Sequence, residues 1–192
     1  INTFGTDTVA SFGMASRLDQ FAMMPSQSIS MATSAIAGQN IGARKEENVR
    51  ETVKWATLLA VGIASVFTLI AQVTPGTLLS LFTSNQRLLA LGKVHLRILS
   101  LGYIPMALLF VTNGLLRGAG DTLPTMLFSI LSLWVIRVPL AKVLSSIPSL
   151  GANGIWIAIV ISLVLSMLMS RIYYATGRWK EKHVVTEAPA TE

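Results

Sequence analysis

Few side chains in this sequence could do chemistry, and most of those stand inside apolar runs. Asp19 and Arg17 lie near the start of one such run, Asn113 near the end of another, and Arg137 between Ile136 and Val138. An ionisable group at the centre of a membrane-crossing helix costs roughly 2.5–3.5 kcal/mol on insertion scales, so it tends to be paired or functional. Arg17 and Asp19 are two residues apart and do not face each other on a helix. Arg17 is long enough to snorkel to an interface. Asp19 is too short, which leaves it as a proton or cation site or as the partner of a basic group on another helix. Arg137 has a similar expected depth and is the candidate partner.

The polar residues around Asp19 are ordered. Sorted by sevens over residues 12–41, Leu18, Ala22, Pro25, Ile29, Ala32 and Ile36 form an apolar row. Gln20, Met24, Gln27 and Met31 form a second row, and Asp19, Met23, Ser26, Ser30 and Thr33 a third. Small hydroxylated residues alone allow close helix packing. Two glutamines one heptad apart point instead to a cavity. Tyr103, Met106, Phe110 and Asn113 make another stripe, either ordinary packing or an adaptable surface that attracts organic cations. Pro25 and Pro105 each lack a backbone donor and are candidate hinges.

Enzymatic constellations are not found. His95 and His183 are far apart, at a span edge and in the tail, and no phosphate-cradling glycine loop, metal-ligand spacing or Ser-His-Asp set can be assembled. Cysteine is absent, which excludes disulfides and thiolate chemistry. The sequence implies no enzyme, no cofactor and no metal centre. The net charge of +6 comes without a basic stripe interleaved with aromatics, so nucleic acid is not the expected partner.

The elements that position these residues follow from hydropathy. Charged residues make up only 12% of the chain and the mean hydropathy is +0.62. Soluble domains carry about a quarter charged residues, and so little charge could not solvate a globule of this size. Four runs, 53–73, 94–116, 123–144 and 155–175, have the length of about 20 residues that a hydrocarbon core demands. A fifth, 12–41, is longer and more polar. Residues 77–91 read as a short amphipathic stretch at the interface. The expectation is an all-α transmembrane bundle of five helices over residues 6–180. Residues 1–5 would be the end of a truncated helix, and 181–192 a polar tail. A chain that opens Ile1-Asn2-Thr3-Phe4 without Met is expected to be part of a longer protein.

Alternate loops fall on opposite sides of the bilayer. One side collects Arg44, Lys45, Arg50, Lys54, Arg117, Arg171, Arg178, Lys180 and Lys182; the other collects Arg17, Arg87, Lys93, Arg97, Arg137 and Lys142. The richer side is expected in the cytoplasm, and with it the C-terminus.

Four short runs, in this order and at helix-length spacing, resemble the second half of MATE transporters (multidrug and toxic compound extrusion). They are Ala15-Ser16-Arg17-Leu18-Asp19-Gln20-Phe21 with Met24-Pro25, Gly38-Gln39-Asn40-Ile41-Gly42-Ala43, Leu116-Arg117-Gly118-Ala119-Gly120-Asp121-Thr122, and Arg137-Val138-Pro139-Leu140-Ala141 with Leu150-Gly151-Ala152-Asn153-Gly154-Ile155-Trp156. The resemblance implies the C-terminal lobe of a two-lobed, twelve-helix transporter of the plasma (inner) membrane, cut within its seventh helix, with residues 1–5 as the end of that helix and the eighth to twelfth complete. That lobe would meet a missing N-terminal lobe around a central cavity and exchange Na⁺ or H⁺ for small organic, amphipathic cations. Gln20, Met24, Gln27, Met31, Tyr103, Met106 and Asn113 would line the cavity. Asp19, Arg17 and Arg137 would set its electrostatics or couple the ion. The third span has Thr112 and Asn113 but no carboxylate, unlike branches that bind a cation there, and Lys142 stands where the pattern more often has Tyr. Two other readings stay open: an exporter or flippase of lipid-linked saccharides with a related fold, and a membrane subunit that only assembles with partners.

Overall fold

The computed structural model describes residues 5–181. The expected helix stub, 1–5, and polar tail, 181–192, lie outside the described residues except for Gly5 and Glu181. Every regular element among the described residues is helical. The order is α1 (Thr6–Gly42), α2 (Glu46–Val73), α3 (Pro75–Ser80), α4 (Gln86–Ser100), α5 (Tyr103–Gly118), α6 (Thr122–Ile130), a π-helical segment (Leu131–Arg137), α7 (Val138–Ser145), α8 (Asn153–Ala175) and a 3₁₀ turn (Arg178–Glu181). The helices α2 and α8 are each long and apolar enough to cross a bilayer, and so is the α6–α7 stretch. The pair α4 and α5 makes a fourth crossing when taken as one bent span. Exposed Trp55, Leu58, Leu59, Val66 and Leu69 on α2, and Trp134 and Val135 on the α6–α7 stretch, are what a helix in lipid presents.

Helix α1 is the axis of the bundle. Its buried residues are Ser11, Ala15, Asp19, Ala22, Ser26, Ser30, Thr33 and Ala37, a stripe of small side chains at spacings of three and four. The polar row Asp19, Ser26, Ser30, Thr33 therefore turns into its own lobe, and the glutamine row turns out of it. The stripe meets α5 at Gly114 and Gly118. A Cβ on Gly114 would fall 2.5 Å from the Ser30 carbonyl oxygen, and one on Gly118 would run into the carbonyl of Ser34. Small residues four apart let two backbones close in this way. Ser30 fastens the contact, donating from Oγ to the Phe110 carbonyl at 2.5 Å and accepting from Arg117 Nη2 at 2.8 Å. Pro25 lies within α1 and the helix continues through it.

The third expected span differs from one straight helix over 94–116. Asn85 caps α4, its side chain accepting from the Arg87 backbone N–H at 3.0 Å, so the helix starts at Gln86 in what reads as an interfacial stretch. It then breaks at Leu101–Gly102, and α5 leaves at 45° to α4. Pro105 explains the position, because its ring excludes the carbonyl of Leu101 four residues earlier and it has no N–H to give. Leu101 N–H turns to Ile98 O, leaving the Arg97 carbonyl free of its usual partner. From α2, Gln72 Nε2 donates to that carbonyl at 2.8 Å and to Ser100 Oγ at 2.9 Å, while Thr68 Oγ1 donates to the Ser100 carbonyl at 3.1 Å. Broken helices persist in lipid where neighbouring side chains satisfy the freed groups.

The fourth span is also irregular. Its π-helical segment brings Ser132 Oγ to the Ser162 carbonyl at 2.7 Å and Arg137 Nε to Ser162 Oγ at 2.8 Å. Together α6, the π segment and α7 form a hairpin with α8. At the C-terminal end Trp179 stacks on Tyr174, and Lys180 Nζ donates to Glu46 Oε2 at 2.5 Å across the α1–α2 turn.

The glycine contact gives a direct test. Replacing Gly118 by Val should lower stability by about 1–3 kcal/mol through overpacking. The same change at Gly62, where a Cβ meets nothing within 4 Å, should cost far less. Thermal unfolding in detergent compares the two, and equal midpoints would refute the packing argument.

Candidate coupling site and cavity face

Asp19 sits on the buried stripe of α1, and three helices converge on it. Tyr103, the first residue of α5, donates its hydroxyl to Asp19 Oδ1 at 2.5 Å. His95, in the third turn of α4, places Nε2 3.3 Å from Asp19 Oδ2. The side chains of His95 and Asp19 are only 2% and 8% exposed. Each carboxylate oxygen thus has a partner, as a buried carboxylate requires. The imidazole is held from the other side by Phe12 of α1 and Trp156 of α8. These two rings stack at 5.1 Å, and His95 meets them edge-to-face at 5.4 and 4.4 Å. Its Nδ1 is buried and has no hydrogen-bond partner among the described residues. A carboxylate, an imidazole and a phenol thus meet in one buried cluster. Among the described residues no group of three His, Asp or Glu side chains could hold a metal ion.

The second feature is a surface. Gln20, Met24, Gln27 and Met31 lie together on the exposed side of α1, with Met24 57% and Met31 71% exposed. Phe21 extends the same surface. The seven residues expected to line one cavity do not share one face. Tyr103 is buried against Asp19, Met106 is half-buried in α5, and the half-buried Asn113 accepts from Ser170 Oγ of α8 at 3.1 Å. A buried amide and phenol find partners inside the bundle, because leaving them unpaired in a dry core is costly.

The electrostatic candidates also separate. Arg17 is exposed. Arg137 reaches Ser162, and Asp19 pairs with His95 and Tyr103 in place of Arg137. Sequence reasoning missed His95, since starting the third span at residue 94 put it at a span edge. The available signal was the Asn85 cap, which lengthens the helix upstream and moves the histidine inward. Pro105 stands just after the α4–α5 break, whereas Pro25 marks no break.

With this geometry in hand, likeness to known proteins is informative. The MatE family model matches residues 1–143. The chain belongs to the MatE family. Over 188 residues, 98% of this MatE chain, it is 26% identical to a probable multidrug resistance protein NorM of Thermotoga maritima. It is 30% identical over 187 residues to the probable multidrug resistance protein YpnP of Bacillus subtilis. The chain spans 40% and 42% of the length of these two curated relatives. Among solved structures, a MATE transporter in the bent conformation superposes with a TM-score of 0.86 at 19% identity, covering 99% of this chain and 43% of that one. Inward-facing and outward-facing structures of a multidrug resistance MATE family transporter give 0.80 and 0.82, at 20% and 21% identity and 92% and 90% of this chain, with 41% and 39% of those chains covered. The fold of this MatE chain is thus that of a MATE lobe, a helical membrane bundle.

Removing the Tyr103 hydroxyl tests the cluster as structure. Tyr103→Phe leaves Asp19 Oδ1 without its donor, and a hydrogen bond to a charged group contributes about 1.5–3 kcal/mol. A loss in that range is expected from equilibrium unfolding in mixed detergent micelles. A variant as stable as the parent would mean the buried carboxylate does not depend on this donor.

Proposed function

We propose that this chain is the C-terminal lobe of a secondary multidrug exporter of the plasma (inner) membrane. The exporter exchanges Na⁺ or H⁺ for small amphipathic organic cations by alternating access. The observation that carries the reading is the exposed row Gln20, Met24, Gln27 and Met31 on a helix whose other side packs the lobe. Lipid gives glutamine side chains no hydrogen-bond partners, so such a row suits a water-filled cavity shared with an N-terminal lobe. Methionine and Phe21 supply soft, polarizable contacts for varied apolar bodies, and the amide oxygens accept from cationic heads. Family membership and the relatives named as probable multidrug resistance proteins support this class of activity.

The C-terminus is assigned to the cytoplasm. Arg44, Lys45, Arg50, Arg117, Arg178 and Lys180 fall at the helix ends that share the α1–α2 turn, which agrees with the usual retention of positive charge inside.

Efflux of the cationic dye ethidium from vesicles carrying the full-length protein, under an imposed pH or Na⁺ gradient, tests the reading. Gln20→Leu combined with Gln27→Leu should cut efflux by about tenfold, the effect of losing about 1.4 kcal/mol of cation binding. The isolated 192-residue chain should move no dye, since it presents one wall of the cavity. Dye transport by that chain alone, or no transport by the full-length protein under either gradient, would overturn the proposal.

A further inference from the structure

Where α8 ends, the chain folds back beside the start of α2 and leaves a basic hollow that drug transport does not use. Arg50 of α2 lines it together with Tyr174, Ala175, Gly177, Trp179 and Lys180, and its volume is about 440 Å³. Gly177 makes the shape possible. Its φ of +73° reverses the chain, and the 3₁₀ turn that follows carries Lys180 across to Glu46 of α2. We propose that this hollow binds the phosphate of an anionic phospholipid, with Arg50 and Lys180 as its cationic arms and the Tyr174–Trp179 pair as its interfacial wall. The inference goes beyond the transport reading and does not depend on what the protein exports.

Charge sets the sign of the ligand. Among the described residues no carboxylate lines the hollow. The Arg50 guanidinium is exposed and has no hydrogen-bond or ion-pair partner among the described residues. Lys180 Nζ donates to Glu46, which leaves two of its three donors for a ligand. Of the nearby acids, Glu46 is taken by Lys180, Glu51 accepts from Trp55 Nε1 at 3.4 Å, and Glu47 lies outside the lining. The surroundings are basic as well. Lys54 stands exposed one turn after Arg50, Arg178 is exposed between two lining residues, and the Arg171 guanidinium lies 5.7 Å from the centre of the Tyr174 ring. A phosphate diester brings one negative charge and oxygens that accept from both arms, and charge-assisted bonds of this kind are the strong ones.

A lipid fits this hollow better than a soluble anion, because apolar surface continues from its rim. On the face of α8 that carries Ala175, the residues Ile172, Leu168 and Leu165 follow at helical spacing, all exposed, and acyl chains can lie along them. The wall itself is interfacial in character. Trp179 is buried against Tyr174, the rings stacked at 5.8 Å, and its Nε1 donates to the Tyr174 carbonyl at 3.1 Å. Aromatic rings with a polar edge gather at the headgroup level of a bilayer, and basic pockets at the ends of spanning helices take lipid headgroups. A bound phosphate also has structural work to do. The Lys180–Glu46 bridge, whose Glu46 side chain is 61% exposed, holds the turn to α2 only weakly. A phosphate bonded to both Arg50 and Lys180 gives the C-terminal turn a second tie to that helix.

Native mass spectrometry of the full-length protein in detergent, titrated with phosphatidylglycerol or with phosphatidylcholine of the same chains, tests the site. Phosphatidylglycerol should bind about tenfold more tightly. Arg50→Gln should weaken it by about fivefold and the double change Arg50→Gln, Lys180→Gln by about twentyfold, with one lipid fewer retained. Lys142→Gln removes the same charge from an exposed position at the other end of the bundle and should change nothing. Phosphatidylglycerol should raise the melting temperature of the parent more than that of the double variant. If the double variant does not fold, the comparison of Arg50→Gln with Lys142→Gln decides, since Arg50 is exposed. Equal binding of the two lipids, an unchanged lipid count in the variants, or an equal loss in Lys142→Gln would overturn the proposal. So would displacement of the lipid by millimolar inorganic phosphate, which would mark a site for a free anion. Binding is read here without transport, so a protein that moves no dye would sink the exporter reading and leave this site standing.

Discussion

The fold depends on two backbones being able to touch. At Gly114 and Gly118 the α5 helix comes so close to α1 that Ser30 and Ser34 carbonyls occupy the space where side chains would stand. In lipid there is little hydrophobic gain from bringing helices together, so close packing and interhelical hydrogen bonds must hold them. The contact provides both, with Ser30 bonded to Phe110 and Arg117 across it. It also fixes the rotation of α1. Once the small stripe is committed to α5, Asp19 must point inward and the Gln20–Met31 row must point out.

That one rotation explains why the two polar rows of α1 have different fates. A heptad count separates them but cannot tell which one meets protein and which meets water or lipid. Side-chain size decides: Ser, Thr and Ala fit against a glycine face, and Gln and Met do not. The small row goes to the core even though it carries the carboxylate, which is then satisfied by His95 and Tyr103.

Hydropathy, turn residues and short motifs made the helical membrane class and the family legible in the sequence. The helix-to-helix pairings were not, because they depend on partners distant in the chain. Asp19 is 76 residues from His95 and 84 from Tyr103, and nothing local to any of them announces the cluster. The broken third span was half legible: Pro105 was visible as a candidate hinge, but a hydropathy window beginning at residue 94 left His95 at its edge. Ser162 is a similar case. Its carbonyl and hydroxyl take Ser132 and Arg137, and a serine inside an apolar run gives no sign that it serves two donors on another helix.

The glutamine beside the break has a mechanical consequence. A backbone carbonyl left without a partner in hydrocarbon costs several kcal/mol, so a break in a spanning helix needs polar neighbours. Gln72 covers Arg97 O and Ser100 Oγ with a single amide at the end of a flexible stem, and Thr68 holds Ser100 O beside it. One amide group thus serves both oxygens at the bend seen here. The joint carries its own polar partners, so the bend leaves neither the Arg97 nor the Ser100 carbonyl stranded.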